Sequence, residues 1–503
     1  MKIFSVEQIR AWDAYTIENE PVASVELMNR AAAAFVDWLA GLFVQPDQPV
    51  LCVCGTGNNG GDGVAAARLL DALHFDAKVL VCDFAGKRSP DFEAQIHLLP
   101  QHGAVPVQWL KTADDLPQLA ENVLVVDALF GSGLTREPSG EFAKIIEWLN
   151  ALPNTVVSID LPSGLFADRH TPGLTVEADR TFSFEQPKLA FFFPENARRV
   201  GEWAFGSIGL SLDFQANTPT DFHFLTSAEA ARLRRPRRRF DHKGTFGHAL
   251  LAAGSIGKMG AATLAARACL RAGAGLLTVH VPRAGVEILQ NAAPEAMCSA
   301  DAVTEMWTTV PDLSRFAAVG VGPGIGTGKP TERALENLLK KAAVPLVLDA
   351  DALNLLAQNP AWWAFLPTNS VLTPHPKEFE RLFGATGNDF ARLDLQRKMA
   401  REHGVFIVLK GAHSAIACPD GEVWFNSTGN PGMATGGSGD VLTGILTGLL
   451  AQGYEPKNAV RLGVFLHGLA GDLAAAERSE EALVAGDLVD FLGRAWLKIG
   501  SLA

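Results

Sequence analysis

Cysteine is scarce in this sequence: six in 503 residues, at Cys52, Cys54, Cys82, Cys269, Cys298 and Cys418, and no two form a CxxC pair. That excludes a disulfide-stapled fold, and no His/Cys cluster has the spacing of a zinc site. The cysteines in apolar runs are expected to be buried free thiols. Long hydrophobic runs are missing too. No apolar stretch reaches the ~18 residues a membrane span requires. The first residues, MKIFSVEQIRAWD, carry charge where a secretory leader has an apolar core. A soluble cytoplasmic protein with no membrane partner is expected. Positive charge is in deficit, with 43 Lys and Arg against 55 Asp and Glu, a net charge of -12. That balance excludes chain-wide affinity for nucleic acid. The one basic run, Arg232 to Arg239, is short and broken by Pro236, and reads as a solvated linker. No GxxxxGK[ST] occurs, since Lys329 is followed by Pro330, so a Walker-type phosphate loop is excluded. Repeats and low-complexity tracts are also absent.

What is present is a globular composition, 48% hydrophobic and 19% charged. The length favours two domains, each large enough to bury ~70% of its unfolded surface without a staple. In the first half Val50 to Cys54, Ala77 to Asp83, Asn122 to Ala128 and Thr155 to Leu161 are short, β-branched and nearly all apolar. Helical patterns over Glu26 to Ala40, Val64 to Leu73 and Phe142 to Leu149 separate or precede them. The pattern lapses in the polar stretch from Asp213 to Phe222, and resumes with His248 to Gly254 and an Ala-rich helix from Ala261 to Ala272. LLTVHV, AAVGVG, PLVLDA, SVLTP and GVFIVLK supply further strands, and the last helices start at Asp440 and near Asn458. Two α/β domains with mainly parallel sheets are predicted, residues 1–215 and 226–503. In such sheets ligands bind beyond the carboxyl ends of the strands, and the glycine-rich motifs of this sequence sit at those ends.

The first motif, Gly55 to Gly63 (GTGNNGGDG), joins a strand to a helix. Its amides and the helix N-terminus suit an anion. Gly55 to Gly60 fits GxGxxG, with Asp83 ending the next strand, so a nucleotide-dependent dehydrogenase is one reading. Two further strand ends carry DALFGSG (Asp127 to Gly133) and SIDLPSG (Ser158 to Gly164). If these strands are neighbours, Asn59, Asp127 and Ser163 place hard oxygens around one point, of a kind that suits an alkali or calcium ion. Asp160 stands where a proton-transfer group would. Each aspartate alone could equally be a turn or capping residue.

The densest signal is Asn430 to Asp440 (NPGMATGGSGD), followed by the helical run VLTGILTGLL. Small residues before a helix present free amides to a phosphate, and an aspartate there can take a proton as an oxygen attacks phosphorus. The plainer reading is that Asp440 caps its helix. Lys410 to Ser414, Gly322 to Gly326, Asp349 to Asn354 and Thr373 to Glu378 complete the polar strand ends of this half. His375, between two prolines, is either a satisfied turn residue or a ligand contact.

GNNGGDG, DALFGSGL, SIDLPSGL and PKLAFFFPE resemble the NAD(P)H-hydrate epimerase family over nearly all of residues 1–215. The resemblance implies a Rossmann-like three-layer sandwich and potassium held by Asn59, Asp127 and Ser163. It implies that Asn58, Asn59, Gly60, Gly61 and Asp62, with Gly131, Ser132, Gly133, Leu134, Thr135, Arg136 and Glu137, contact the hydrated nucleotide beside catalytic Asp160. Thr56 stands where that family often has proline, and some of its relatives are non-catalytic scaffolds. Residues 240–500 resemble the ribokinase-like superfamily, and more narrowly the ADP/ATP-dependent NAD(P)H-hydrate dehydratases. The shared motifs are GSIGKMGAA, GVGPGIG, DADALNLL, TPHPKEFERL, VLKGAHS and GNPGMATGGSGDVLTGILTGLLAQG. That likeness implies that Ala261, Gly324, His375 and Asp440 contact the hydrate. Lys410, Gly411, Ala412, His413, Ser414 and Gly439 would contact the adenine nucleotide, with magnesium. Together the two implied halves describe a bifunctional isomerase and lyase acting on NADHX and NADPHX with ADP or ATP, and a homo-oligomer is expected. The alternative is a ribokinase-like small-molecule kinase fused to a non-catalytic nucleotide-binding scaffold.

Overall fold

The computed structural model describes residues 1–42, 48–84, 86–102 and 105–502. Contacts divide the chain into two compact units, one of Lys2–Thr220 with Asn388–Phe390, the other of Met1, Asp221–Gly387 and Ala391–Ala503.

In the seven-stranded sheet of the first unit every strand pairs parallel with its neighbour. From edge to edge the order is Val107–Leu110, Asp76–Cys82, Pro49–Cys54, Leu124–Ala128, Val156–Ile159, Arg180–Phe184, Glu202–Gly206. Alternation along each strand feeds two cores. Val50, Cys52 and Cys54 pack with helices Ser24–Leu42, Asn58–Ala72 and Pro90–His102. Leu51 and Val53 pack with Ile145, Ile146 and Leu149 of helix Glu141–Ala151. The result is a three-layer α/β sandwich. Strand order reverses between Pro49–Cys54 and Leu124–Ala128, and a crevice opens at such a switch.

The second unit's sheet runs Phe222–Leu225, Val423–Asn426, Ala415–Ala417, Phe406–Leu409, Val371–Leu372, Leu346–Leu348, Ala318–Val321, His248–Ala252, Leu276–Val281, Met297–Ala300. The pairings on either side of Ala415–Ala417 are antiparallel, and the others between these strands are parallel. Here order reverses between His248–Ala252 and Ala318–Val321. Helix Ser438–Ala451 packs across helix Met259–Arg271 with almost no space between backbones. A Cβ on Gly444 would stand 2.1 Å from the Ala265 carbonyl oxygen, and one on Gly448 2.7 Å from that of Cys269. Gly444→Val is therefore expected to cost about 3 kcal/mol by overpacking. Thermal melting of that variant should show a lowered transition, and an unchanged melt would mean that the helices do not meet there.

The polar stretch after Leu212 carries regular structure: it contains helix Leu212–Asn217, and beyond it Phe222–Leu225 forms a strand parallel to Val423–Asn426. The contact division falls after Thr220. The arginine run is exposed but laid on the fold, with Arg235 stacked 4.7 Å over Tyr454 and Arg237 4.0 Å over Phe246. Finally, helix Pro456–Arg478 is long and apolar enough to cross a membrane, although its sequence is not uninterruptedly apolar. Most of its apolar length is buried within the protein, the position of a core helix. All six cysteines are free, and five are buried.

Candidate active sites

The first site forms where the strands ending at Cys54, Ala128 and Ile159 meet. The glycine-rich segment is not all loop. Its helix begins at Asn58, six residues before the predicted Val64, with extended Gly57 as the cap. Close packing compels this. A Cβ on Gly60 would lie 1.8 Å from the Gly55 carbonyl oxygen, and one on Gly61 2.7 Å from the Met28 sulfur. Gly60 and Gly61 are thus packing positions and do not line the cavity above them, whereas Asn58, Asn59 and Asp62 do.

That cavity is about 710 Å³, and residues Gly131 to Glu137 and Asp160 also line it. Asp160 has a left-handed backbone, φ 63°, a strained state for a residue with a side chain. Its Oδ1 accepts from Lys188 Nζ at 2.7 Å, and that ammonium also donates to Ser183 Oγ at 2.9 Å. Lys188 is 1% exposed. Sequence reading had quoted the PKLAFFFPE motif but missed this partner, though one lysine heading an apolar aromatic run was a signal. It also missed Asp13, which faces the same cavity from helix Val6–Asn19. Burial, then the nearby Asp160, pushes the Asp13 carboxyl up to about 7. Burial and the Asp160 and Asp13 charges also push Asp62 well up.

Asn59, Asp127 and Ser163 converge on the turn at Phe130 and Gly131. Ser163 Oγ accepts from Phe130 N at 2.9 Å and donates to Asp127 Oδ1 at 2.5 Å. Asn59 Oδ1 lies 3.0 Å from where a Gly131 Cβ would be. Asp127 also accepts from Ser158 Oγ, Ser163 N and Leu129 N. Burial pushes its carboxyl up, against those hydrogen bonds. The Asn59 amide nitrogen is buried without a partner. One carboxylate among neutral oxygens matches the charge of a monovalent cation, and no group of three or more His, Cys, Asp or Glu fit for a metal occurs among the described residues. The dehydrogenase reading loses its ribose ligand, because Asp83 is held by Arg88 at 2.9 Å and Lys111 at 2.5 Å.

In the second unit Asp440 does not cap its helix. The cap is Gly437, left-handed at φ 96°, and Asp440 lies inside the first turn of Ser438–Ala451. Its half-buried side chain has no hydrogen bond or ion pair among the described residues. Burial and then Asp349 push it up to about 7, with Lys410 opposing. The amides of Gly439 and Asp440 precede the bond from Val441 N to the Gly437 carbonyl, so they face outward from the helix mouth. A Cβ on Gly439 would lie 3.3 Å from both Asp349 Oδ2 and Lys410 Nζ. Lys410 ends strand Phe406–Leu409 and donates to Asp349 Oδ1 at 2.8 Å, with Glu378 3.9 Å away. Burial alone would lower Lys410, but Asp349, Glu378 and Asp440 hold it above its ordinary value.

Around this centre the structure gathers most of the predicted residues. Gly324 has a left-handed φ of 65°, and a Cβ there would lie 3.3 Å from the Ala261 Cβ. Gly411 and Ala412 are exposed, while Ser414 Oγ donates to the Gly411 carbonyl at 3.2 Å and His413 Nδ1 lies 3.1 Å from the Asn426 carbonyl oxygen. His375 is a helix cap: its Nδ1 accepts from the amides of Lys377 and Glu378, leaving Nε2 3.4 Å from Glu378 Oε1. His467 had escaped notice. Its Nε2 lies 2.9 Å from the Ser438 carbonyl oxygen, pinning the glycine loop, and burial pushes the ring down to about 4.

Comparison with known proteins gives a consistent result. A family model described as NAD(P)H-hydrate dehydratase matches residues 249–493, and one described as YjeF-related protein N-terminus matches residues 24–190. A bifunctional NAD(P)H-hydrate repair enzyme of Moorella thermoacetica is 38% identical over 490 residues, covering 94% of this chain and 92% of its own. The structure of an ADP/ATP-dependent NAD(P)H-hydrate dehydratase from Bacillus subtilis, co-crystallized with ATP/Mg2+, is 34% identical. It covers 55% of this chain and 98% of its own, with a TM-score of 0.49. A ribokinase-like superfamily protein from Enterococcus faecalis is 28% identical over 56% of this chain and 98% of its own, with a TM-score of 0.50.

Proposed function

The chain belongs to the bifunctional NAD(P)H-hydrate repair enzymes, and from that membership we propose how its two sites divide the work. The protein repairs NADH and NADPH that have taken up water. The first unit interconverts the R and S hydrates, and the second removes water from the S form at the expense of ADP or ATP. Two activities are needed because hydration produces both epimers, whereas a stereospecific pocket accepts one.

The observation that carries the dehydratase assignment is the unbonded Asp440 carboxylate beside Lys410 at a glycine-built helix mouth. As the hydrate's hydroxyl oxygen attacks the terminal phosphorus, its proton passes to Asp440 and the bond to the nucleotide breaks. The outward amides of Gly439 and Asp440 stabilise the charge that develops on the phosphoryl oxygens. The new phosphate ester then leaves as inorganic phosphate, with loss of a ring proton, restoring the dihydronicotinamide. Ala261, Gly324 and His375 would contact the hydrate. The turn from Lys410 to Ser414 and Gly439 would hold the nucleotide. Magnesium would arrive with the nucleotide and neutralise its phosphates. In the first unit Asn59, Asp127 and Ser163 would hold potassium, Asn58, Asn59, Asp62 and Gly131 to Glu137 would frame the hydrate, and Asp160 would move the proton. Gly60 and Gly61 act there by letting the helix approach its strand.

Incubation of the protein with mixed-epimer NADHX, ADP and magnesium tests the reading. Reduced-nicotinamide absorbance should rise until the hydrate is exhausted, with one phosphate released per NADH. A stable phosphorylated product would indicate a small-molecule kinase instead, and conversion halting at half would remove the epimerase.

A further inference from the structure

We propose that Asp13 is the second proton-transfer residue of the first site, acting across the cavity from Asp160. The inference rests on the epimerase reading and extends it.

The placement of Asp13 is enforced from behind. Its neighbour Trp12 is wholly buried, stacked on Phe214 and edge-on to Phe4, and donates its indole N–H to the Ser211 carbonyl at 2.7 Å. Thr16, one turn on, donates to the Trp12 carbonyl and accepts from Ser211 N. With that face of the helix committed, Asp13 faces the cavity that Asp160, Asp62 and Lys188 also line. Its carboxyl has no hydrogen bond or ion pair among the described residues, whereas Asp160 has Lys188 at 2.7 Å. An ordinary surface acid on a helix would be solvated, but burial is the largest influence on this one.

The charged groups around Asp13 are mostly of its own sign. Asp160 and Glu185 oppose its ionisation and Lys188 favours it, Asp62 is itself pushed up by burial and by Asp160 and Asp13, and Arg10, Arg136 and Glu137 stand elsewhere on the cavity wall. Two carboxyls in one pocket with environments this different are suited to opposite roles, one as acid and one as base. Asp13 then supplies its proton to the departing hydroxyl oxygen of the hydrate. The carbon–oxygen bond breaks, water leaves, and the ring nitrogen's electron pair forms a double bond to the vacated carbon. A water adds to that carbon from the opposite face, the electron pair returns to nitrogen, and the water's proton passes to Asp160. Solvent carries the proton back to Asp13. No oxidant or reductant is consumed.

Asp13→Asn should lower epimerase kcat by about 10²-fold or more, and Asp13→Glu should recover part of it. Dehydratase turnover on the S hydrate, in the other unit, should not change. The wild-type epimerase rate should fall as pH rises above about 7, because the acid form is then lost, and Asp13→Asn should lack that limb. In ¹⁸O-labelled water, epimerised hydrate should carry the label. Since Asp13 has no hydrogen-bond or ion-pair partner among the described residues, Asp13→Asn should melt as the wild type does, and a marked drop would overturn the picture of an unpartnered carboxyl. A wild-type rate and an intact alkaline limb in Asp13→Asn would overturn the role. Epimerisation by neither wild type nor variant would instead sink the epimerase reading on which it stands.

Discussion

Asp440→Asn is expected to bind ADP as tightly as the wild type, or more tightly, while dehydratase kcat falls by about 10²–10⁴-fold, the range for losing a positioned proton acceptor. Among the described residues the side chain makes no hydrogen bond or ion pair, and Gly437 rather than Asp440 caps the helix, so an amide of the same shape leaves the loop intact. It also removes a negative charge from beside the phosphates. The pH profile gives an independent reading. With its carboxyl pushed up to about 7 by burial and by Asp349, Asp440 is protonated below that pH and cannot accept the hydroxyl proton. Wild-type kcat/KM should therefore decline as pH falls through about 7, and this acid limb should be missing from Asp440→Asn. Calorimetric titration with ADP and a phosphate-release assay separate binding from turnover. Wild-type turnover in the variant would remove Asp440 from the chemistry.

The second large effect is expected at Asp160. Asp160→Ala should convert mixed-epimer hydrate only until the S form is consumed, leaving the R form unrepaired. The variant also leaves the Lys188 ammonium buried with one acid fewer, since that lysine is 1% exposed. Breaking a buried pair from one side costs about 3–5 kcal/mol. The two consequences can be told apart. Asp160→Ala combined with Lys188→Met should regain most of the lost stability and none of the epimerisation. If the double variant epimerises, Asp160 serves the fold rather than the reaction. Chiral separation of the residual hydrate and a thermal melt read the two quantities.

How much of this was legible beforehand follows from the range of each interaction. The strand Val50–Cys54 stood out because burial on both faces demands an unbroken apolar run, and the observed limits, Pro49–Cys54, differ little. Ala415–Ala417, Arg180–Phe184 and Phe222–Leu225 went unseen. Each is three to five residues long, too short for a period-two pattern to emerge from its surroundings. The helix start at Asn58 was missed for a different reason. Asn, Gly and Asp there read as loop by propensity, and only the approach of Gly60 to the Gly55 carbonyl selects the helix.

The candidate sites divide in the same way. Motifs placed Asp160, Asp440, Asn59 and Ser163 at strand ends, because backbone chemistry there is a local property of glycine and its neighbours. Sequence alone therefore determined the α/β class of both halves, the strand ends that carry chemistry, and the family to which the motifs belong. Tertiary structure alone decided that Lys188 meets Asp160, that Asp13 faces the same cavity, that Gly60 and Gly61 serve packing, and that Gly437 rather than Asp440 caps its helix. Ionisation and close packing depend on which atoms lie within a few ångströms. Residues 13 and 160, or 188 and 160, become neighbours only when the chain has folded.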